Sequence, residues 1–496
     1  MPGLSNDLET GLSSYAMEHV MTRLDANTFT RHQVSVLAIV LTSYLMIVLD
    51  ISIVITGLPE IKQDLGFSVS GLAWVQTAYT LSFGGLLLLG ARAGDLLGRR
   101  RMLVAGLGLF TLSSLAIGLA QSPTWMLVGR AIQGSGAAIL APSTLALLST
   151  HFREGSQRHR ALAYYASAAG VGSSLGLVLG GVFAGELSWR VGFFINIPIG
   201  VALVWAAHQV LEETPKRGGT FDTLGAMLST LGMTALVFAI VRSAQQGWSD
   251  GPTLASLTTA GLLLSGFVFN ESRVRQPILP LRLFASRQRV GAYLARLLFI
   301  GAMLSFFFYI TQFLQDVMGF TPLEAGLAFL PVTLPIFLAS LLVTRLTHRL
   351  GHARLLALAL VSTLAGMAWL GLLTPESRYA VDVALPMVLI GVGNGLALGP
   401  LTVAGVAGVE ERDAGAASGM VNVAHQLGGA LGLSVLVVVY SVAGDSPLQG
   451  RELLAHQLVS ALLGSAGLLA IALAVATLLI VLPSPKPSDQ RHCART

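Results

Sequence analysis

The chain has 496 residues, of which 53% are hydrophobic and 11% are charged, with a mean hydropathy of +0.72 and a formal net charge of +5. This composition excludes an ordinary soluble globular protein, in which about 25% of residues are charged. The basic residues follow the loops instead of forming a patch, so the net charge does not indicate nucleic-acid binding. The single cysteine, Cys493, excludes an intramolecular disulfide.

Apolar segments long enough to cross roughly 30 Å of hydrocarbon recur along the whole chain. Fourteen transmembrane helices are predicted, at residues 34–58, 69–90, 102–121, 124–148, 160–184, 191–211, 221–243, 253–270, 290–314, 323–345, 353–373, 380–406, 415–441 and 457–482. The segments between them carry 23 Lys and Arg residues on one side of the membrane and 5 on the other. By the positive-inside rule the richer side is cytoplasmic, and both termini lie on it.

The sequence also contains a faint internal repeat. The loop at residues 92–101 matches the loop at residues 345–354 in its Gly and Arg positions after a shift of 253 residues. The repeat predicts two six-helix bundles around an inserted helix pair, an all-α integral membrane fold of 6 + 2 + 6 helices. The predicted segments are a cytoplasmic tail (1–33), an N-terminal bundle (34–212), a two-helix insert (213–272), a cytoplasmic loop (273–289), a C-terminal bundle (290–482) and a second cytoplasmic tail (483–496).

Asp50 lies deep inside the first apolar segment. A carboxylate at that depth costs about 2.5 kcal/mol or more on insertion scales, so it usually lines a polar pathway. Asp50 is nine residues from Pro59, and Arg130 is seven residues from Pro123. At roughly 1.5 Å per residue the two differ in depth by about 3 Å. Because a membrane-buried arginine needs a counter-charge, Asp50 and Arg130 form a candidate proton-coupling pair. The alternative is that Asp50 is permanently paired and serves only in the packing of the helices.

Several segments resemble the major facilitator superfamily, and specifically its fourteen-helix drug:proton antiporter branch. The loop at residues 91–101 is similar to the signature Gly-x-Leu-Ala-Asp-x-x-Gly-Arg-Arg, and Asp50 stands at the acidic position of the branch's first helix. Arg130 and Gln133 fit the Arg-x-x-Gln-Gly motif of the fourth helix. The resemblance extends over roughly residues 35–482 and implies the major facilitator fold with fourteen transmembrane helices.

The resemblance assigns roles to two further groups of residues. It implies that one loop locks the two halves of the protein in one conformation. In this loop Asp95 would pair with arginines or accept hydrogen bonds from helix N-terminal amides. The residues of the loop are Asp95, Gly98, Arg99 and Arg100. The alternative is an ordinary arginine-rich inner loop. The stripe Gly172, Gly176 and Gly180 is similar to the branch's antiporter motif, although Leu177 replaces its proline. The stripe lets another helix approach closely, and the alternative is a generic glycine packing face without a role in antiport.

By family position, six residues are candidates for an apolar substrate cavity, and each could equally be a helix-packing residue: Tyr44, Tyr79, Gln133, Phe307, Gln312 and Asn422. His425 stands where the branch has arginine. Because histidine titrates near neutrality, it is a candidate proton relay, with helix packing as the alternative. Arg296, two turns into the ninth helix, has no evident partner in the sequence.

These features predict a proton-coupled antiporter that exports bulky amphiphilic drugs or antibiotics by alternating access, as a monomer in the lipid bilayer of the bacterial cytoplasmic membrane. The alternative is an uncoupled exporter or facilitator of an endogenous lipid or secondary metabolite. The sequence has no metal-ligand cluster, no nucleophile–base pair and no phosphate-binding loop, so neither an enzyme nor a cofactor is expected. A sensor or scaffold is disfavoured because no loop can hold a soluble domain.

Overall fold

The computed structural model describes residues 29–152, 156–213, 222–410 and 413–482. Fourteen helices in these ranges are long and apolar enough to cross a membrane, which confirms the prediction. We number the long helices α1 (Arg31–Thr56), α2 (Val69–Leu97), α3 (Arg99–Gly118), α4 (Pro123–His151), α5 (Ser156–Val182), α6 (Asn196–Val210), α7 (Thr223–Gln246), α8 (Gly251–Arg273), α9 (Arg287–Gln312), α10 (Leu330–Leu350), α11 (His352–Leu370), α12 (Leu385–Gly405), α13 (Ala414–Val442) and α14 (Gly450–Ala476).

Shorter helical segments extend or join these helices. Short α-helices lie at Leu58–Leu65, Val191–Phe194 and Pro322–Leu327, and 3-10 turns at Leu281–Ala285 and Ala443–Asp445. Single π-helical turns lie at Phe183–Leu187, Phe313–Val317, Tyr379–Ala384 and Thr477–Val481. The predicted cytoplasmic tails, residues 1–33 and 483–496, lie outside the described residues apart from residues 29–33.

Several helices are longer than the apolar segments that predicted them. The predicted second helix stops at residue 90, whereas α2 continues to Leu97. It ends there because Gly98 has φ +109, a conformation that side-chain-bearing residues rarely adopt. The start of α14 at Gly450 similarly precedes the predicted residue 457. An apolar window detects the hydrocarbon-embedded part of a helix and misses the polar turns at its ends.

The long helices pack as two bundles. In the first, α1 packs on α5, and α4 packs on both α2 and α3. In the second, α9 packs on α13 and α14, and α12 packs on α10 and α11. We call the end of the molecule that holds the α1–α2 loop the outer end, following the positive-inside prediction, and the opposite end the inner end.

The two bundles are joined at their outer ends. Gly181 of α5 faces Pro322, and Gly326 faces Leu177, so that α5 and the segment before α10 approach at backbone distance. The Gln315 side chain donates a hydrogen bond to the Thr56 carbonyl oxygen at 3.0 Å. One apolar cluster extends from the second bundle into the outer parts of the first. The outer end is therefore closed in this structure.

The inserted pair α7 and α8 lies over the seam between the bundles. α7 packs against both α2 and α13, whereas α8 packs on α7. Residues of α2, α7 and α13 form an apolar cluster at this junction: Leu81, Val237, Val241 and Ala430. The pair therefore does more than connect the bundles in sequence, since α7 covers the place where they meet.

Candidate functional site

Asp50 and Arg130 form an ion pair inside the first bundle. Arg130 Nη1 donates to Asp50 Oδ2 at 2.7 Å, and both side chains are completely buried. The sequence predicted similar depths for these residues, and the helices α1 and α4 bring them into direct contact. Removing two charges from water is costly, so such a pair persists only when further hydrogen bonds satisfy the remaining polar atoms.

Three polar side chains supply those hydrogen bonds. Gln133 Nε2 donates to Asp50 Oδ1 at 2.7 Å, and Asn196 Nδ2 donates to the same oxygen at 3.1 Å. Ser114 accepts from Gln133 at 2.8 Å and from Asn196 at 3.4 Å. The carboxylate therefore accepts from three side chains on α4 and α6, with α3 supporting two of them.

The guanidinium of Arg130 is held on its other sides by α2 and by an aromatic pair. Nε donates to the Val75 carbonyl oxygen at 2.9 Å, and Nη1 also donates to Gln133 Oε1 at 2.7 Å. The guanidinium lies over the Tyr79 ring at 4.3 Å from its centroid, with Phe193 at 5.9 Å. Within the described ranges, Nη2 has no hydrogen-bond partner, and neither has the Tyr79 hydroxyl. The cluster therefore retains unused hydrogen-bonding capacity beside the ion pair.

The glycine stripe packs α5 directly against the helix that carries Asp50. A Cβ at Gly172 would lie 2.6 Å from Leu45, and one at Gly176 would lie 2.5 Å from Ser52. Gly180 faces Thr56 and the Ile53 carbonyl oxygen at a distance too short for any side chain. Only glycine permits this separation of α1 and α5, so the stripe sets the position of Asp50 relative to the seam.

The predicted locking loop is bound to the inner ends of α4 and α6. Asp95 near the end of α2 forms an ion pair at 3.2 Å with Arg99, the first residue of α3. Arg99 also donates to the Ala146 carbonyl oxygen at 3.0 Å, and Arg100 donates to the His208 carbonyl oxygen at 3.1 Å. These contacts are all made within the first bundle. A locking role between the two halves stays a prediction.

Glu213, which no sequence motif marks, caps the backbone amides at the start of α3. Its two carboxylate oxygens accept from the backbone N–H groups of Arg100 and Arg101, each at 3.2 Å. A Cβ at Gly98 would collide with this carboxylate. The capping role expected of Asp95 therefore belongs to Glu213. No sequence signal marked Glu213, because it lies 113 residues from the amide it binds.

The six cavity candidates occupy different environments. Gln133 and Tyr79 belong to the Asp50 cluster, and their predicted place in a substrate cavity stays a prediction. Gln312 is 1% exposed and donates to the Phe308 carbonyl oxygen of its own helix. Phe307 packs against Phe306 and Phe329. Each of these contacts is made within a single bundle.

Tyr44 and Asn422 remain as candidates beside the seam. The Tyr44 ring stacks on Tyr165 with centroids 3.9 Å apart, and its helix α1 contacts α9, the helix of the other bundle that carries Arg296. The Asn422 side chain is exposed and donates to the Ser418 carbonyl oxygen at 3.2 Å.

Arg296, which had no evident partner in the sequence, meets His425 and Thr402. Nη1 donates to Thr402 Oγ1 at 2.9 Å, and Nη2 lies 3.4 Å from His425 Nδ1. Arginine has no acceptor atom, so Nδ1 accepts, which places the ring proton of a neutral histidine on Nε2. Proton relay by His425 stays a prediction.

Sequence reasoning missed Asn196 and Ser114 as partners of Asp50. Asn196 was noticeable as a polar residue within an apolar segment at residues 191–207, but nothing in that segment indicated the direction of its side chain. Ser114 gave no signal, because serine is common in transmembrane helices. In the described part of the chain, no three His, Cys, Asp or Glu side chains are grouped closely enough to hold a metal ion.

Two helical bundles around a seam, with an ion pair buried in one of them, define a multi-pass membrane transporter. The sequence profile of the Major Facilitator Superfamily matches residues 40–433. The chain therefore belongs to this superfamily, which confirms the resemblance, and it is a transporter and not an enzyme.

Similar proteins from actinomycete bacteria have been named for antibiotic export or resistance. The chain is 39% identical over 456 residues to the cephamycin export protein CmcT of Amycolatopsis lactamdurans, covering 90% of this chain and 92% of that protein. It is 36% identical to the puromycin resistance protein pur8 of Streptomyces alboniger, covering 90% of each. In fold, it matches a bacterial homolog of the human lysosomal transporter Spinster, solved in an inward-facing and occupied conformation. That match has a TM-score of 0.64 at 15% identity and covers 93% of this chain and all of that one.

Proposed function

We propose that this transporter is a proton-coupled antiporter that exports amphiphilic drugs or antibiotics across the bacterial cytoplasmic membrane. The observation that carries the proposal is the completely buried Asp50–Arg130 pair. Asp50 is the titratable member, because arginine keeps its charge. Protonation of Asp50 would remove the counter-charge of Arg130 and rearrange the hydrogen bonds made by Gln133 and Asn196.

The position of the pair links proton binding to movement of the bundles. Asp50 lies on α1, which the glycine stripe holds against α5, and α5 forms the outer contact with the second bundle through Gly181. A change in the pair can therefore reach the seam through two rigid helices. A proton that enters the cell down about 100 mV releases about 2.3 kcal/mol, which can drive a substrate outward.

The comparisons support export of antibiotics, since the similar proteins are named for cephamycin export and puromycin resistance. The charge distribution supports an orientation with both termini in the cytoplasm. The closed outer end corresponds to a state in which substrate enters from the inner side. A monomer is sufficient for this mechanism, because both bundles and the seam belong to one chain.

The test is dye transport into inverted membrane vesicles under an imposed pH gradient. The wild type and Asp445→Asn, which changes an exposed outer acid, are expected to accumulate a lipophilic dye only with the gradient. Asp50→Asn is expected to abolish this accumulation. Transport by both the wild type and Asp50→Asn without a gradient would contradict proton coupling and favour the alternative, an uncoupled exporter or facilitator of an endogenous lipid or secondary metabolite.

Loss of transport in Asp50→Asn could also arise from misfolding, because the variant leaves Arg130 without a counter-charge. The double variant Asp50→Asn/Arg130→Gln removes both charges and keeps polar side chains in the cluster. Replacing a buried ion pair by neutral groups often preserves stability. We expect this variant to exchange dye down a dye gradient and to show no response to pH. A retained pH response would exclude Asp50 as the coupling carboxyl group.

A further inference from the structure

Arg296 is a buried cation in the middle of α9. Its side chain is 7% exposed, and it lies nine residues from the first residue of the helix, about 14 Å along the axis. Across the described ranges, no carboxylate forms an ion pair with it, and its Nε has no hydrogen-bond partner. Its polar contacts are Thr402 and His425.

A guanidinium in this environment lacks the counter-charge that membrane-buried arginines normally require. Arg130 provides the comparison inside the same protein, since it has Asp50 at 2.7 Å. The neighbours of Arg296 cannot replace a carboxylate. Thr402 is neutral, and His425 accepts through Nδ1 and so presents only its Nε2 proton to other groups. The cluster is therefore cationic and offers free hydrogen-bond donors.

The cluster borders the seam between the bundles. α9, which carries Arg296, contacts α1 of the first bundle, which carries Tyr44. Beside the cluster, the side chains of Thr402 and Asn422 are exposed, and Asn422 precedes His425 by one turn of α13. The stacked rings of Tyr44 and Tyr165 lie on α1 and α5 of the first bundle. The cationic donors and this aromatic pair thus belong to different bundles, whose helices α9 and α1 are in contact.

We propose that Arg296 and His425 bind the anionic group of a transported amphiphile, while the Tyr44–Tyr165 stack contacts its apolar body. This inference rests on the proposed function as an exporter of amphiphiles and narrows its substrates to those that carry an oxyanion. Nε and Nη2 lie on one edge of the guanidinium, which matches the two oxygens of a carboxylate. The bound anion supplies the counter-charge that the protein omits.

The test measures equilibrium binding to the purified full-length protein in detergent, without a pH gradient. The probes are a dansylated undecanoic acid and its methyl ester, in which a methyl group removes the charge of the carboxylate. We expect the wild type to bind the acid more tightly than the ester, by about tenfold or more, as for a hydrogen bond to a charged group. Arg296→Gln is expected to abolish this preference and to leave the ester's affinity unchanged. Arg296→Lys is expected to retain part of the preference.

The matched control is Arg349→Gln, which removes an exposed arginine near the inner end of α10 and is expected to keep the preference for the acid. Unchanged affinity for the ester shows that the Arg296 variants are folded. Equal affinity of the wild type for acid and ester would overturn the proposal, and so would a preference that survives in Arg296→Gln. Because no gradient is present, either result leaves the question of proton coupling unaffected.

A second arm distinguishes a soluble carboxylate from a lipid headgroup as the natural ligand. Phosphatidylglycerol and phosphatidylcholine are added in turn to the wild type with bound acid. Displacement of the acid by phosphatidylglycerol alone would indicate that the headgroup of an anionic lipid occupies the site. Retention of the acid against both lipids would indicate a free anionic substrate. Both results require the anion site, and displacement by both lipids equally would contradict it.

Discussion

Two buried arginines, one in each bundle, have opposite surroundings. Arg130 in the first bundle has a carboxylate at 2.7 Å, a backbone carbonyl group, a glutamine and an aromatic ring as neighbours. Arg296 in the second bundle has a threonine, a histidine and an unpartnered Nε. The charge of Arg130 is balanced by a carboxylate of the protein, whereas none of the described carboxylates pairs with Arg296. We therefore propose different roles for the two bundles. The first binds the proton, and the second recognises an anionic substrate.

The strongest test of this difference is the stability of neutral variants. Arg130→Gln leaves Asp50 as an unpaired buried charge, so we expect a loss of about 3–5 kcal/mol of unfolding free energy. Arg296→Gln removes a charge that has no counter-charge, so we expect no loss. The measurement is thermal unfolding of each variant in detergent, without added substrate. Equal destabilisation by the two substitutions would show that Arg296 has a counter-charge in the native protein.

A smaller effect is expected from the packing that positions Asp50. Gly176→Ala places a methyl group 2.5 Å from Ser52 of α1, so the helices must separate. We expect a loss of about 1–3 kcal/mol, as for other overpacked sites, together with weaker pH-driven transport. Gly108→Ala in α3 is the matched control, because a Cβ there has no neighbour within 4 Å. If both variants transport equally well, the separation of α1 and α5 does not matter for coupling.

The smallest effect is expected at the outer end, where the two bundles meet through Lys62 and Asp316. Their charged atoms are 3.9 Å apart and partly exposed, so the pair contributes about 1 kcal/mol at most. Lys62→Gln is therefore expected to increase outer-side access no more than about fivefold.

Labelling of a cysteine at position 325, a buried alanine in the short helix that contacts α5, measures this access in a Cys493→Ser background. A much larger increase would mean that Lys62 is a principal element of the outer closure. No increase at all would indicate that the outer end is closed by the contact of α5 with the short helix Pro322–Leu327, at Gly181 and Gly326.

The contact between Asp50 and Arg130 could be anticipated from the sequence because both residues lie on long, regular helices. A proline near the outer end of each segment serves as a depth reference. The helical rise of about 1.5 Å per residue then gives the depth of Asp50 and of Arg130 below that reference. Tyr79 and Gln312 are cavity candidates by family position only, and the structure buries both side chains. A family position does not specify the direction in which a side chain points within a packed bundle.

The sequence by itself determined the fourteen transmembrane helices and the superfamily, because apolar segments and loop motifs are local. It also supplied the predicted orientation, through the distribution of arginines among the loops. Only the tertiary structure decided which groups complete each site. Asn196 reaches Asp50 across 146 residues, Glu213 reaches the start of α3 across 113, and His425 reaches Arg296 across 129. These partners depend on the rotation and approach of separate helices, which hydrophobicity does not encode but side-chain packing does.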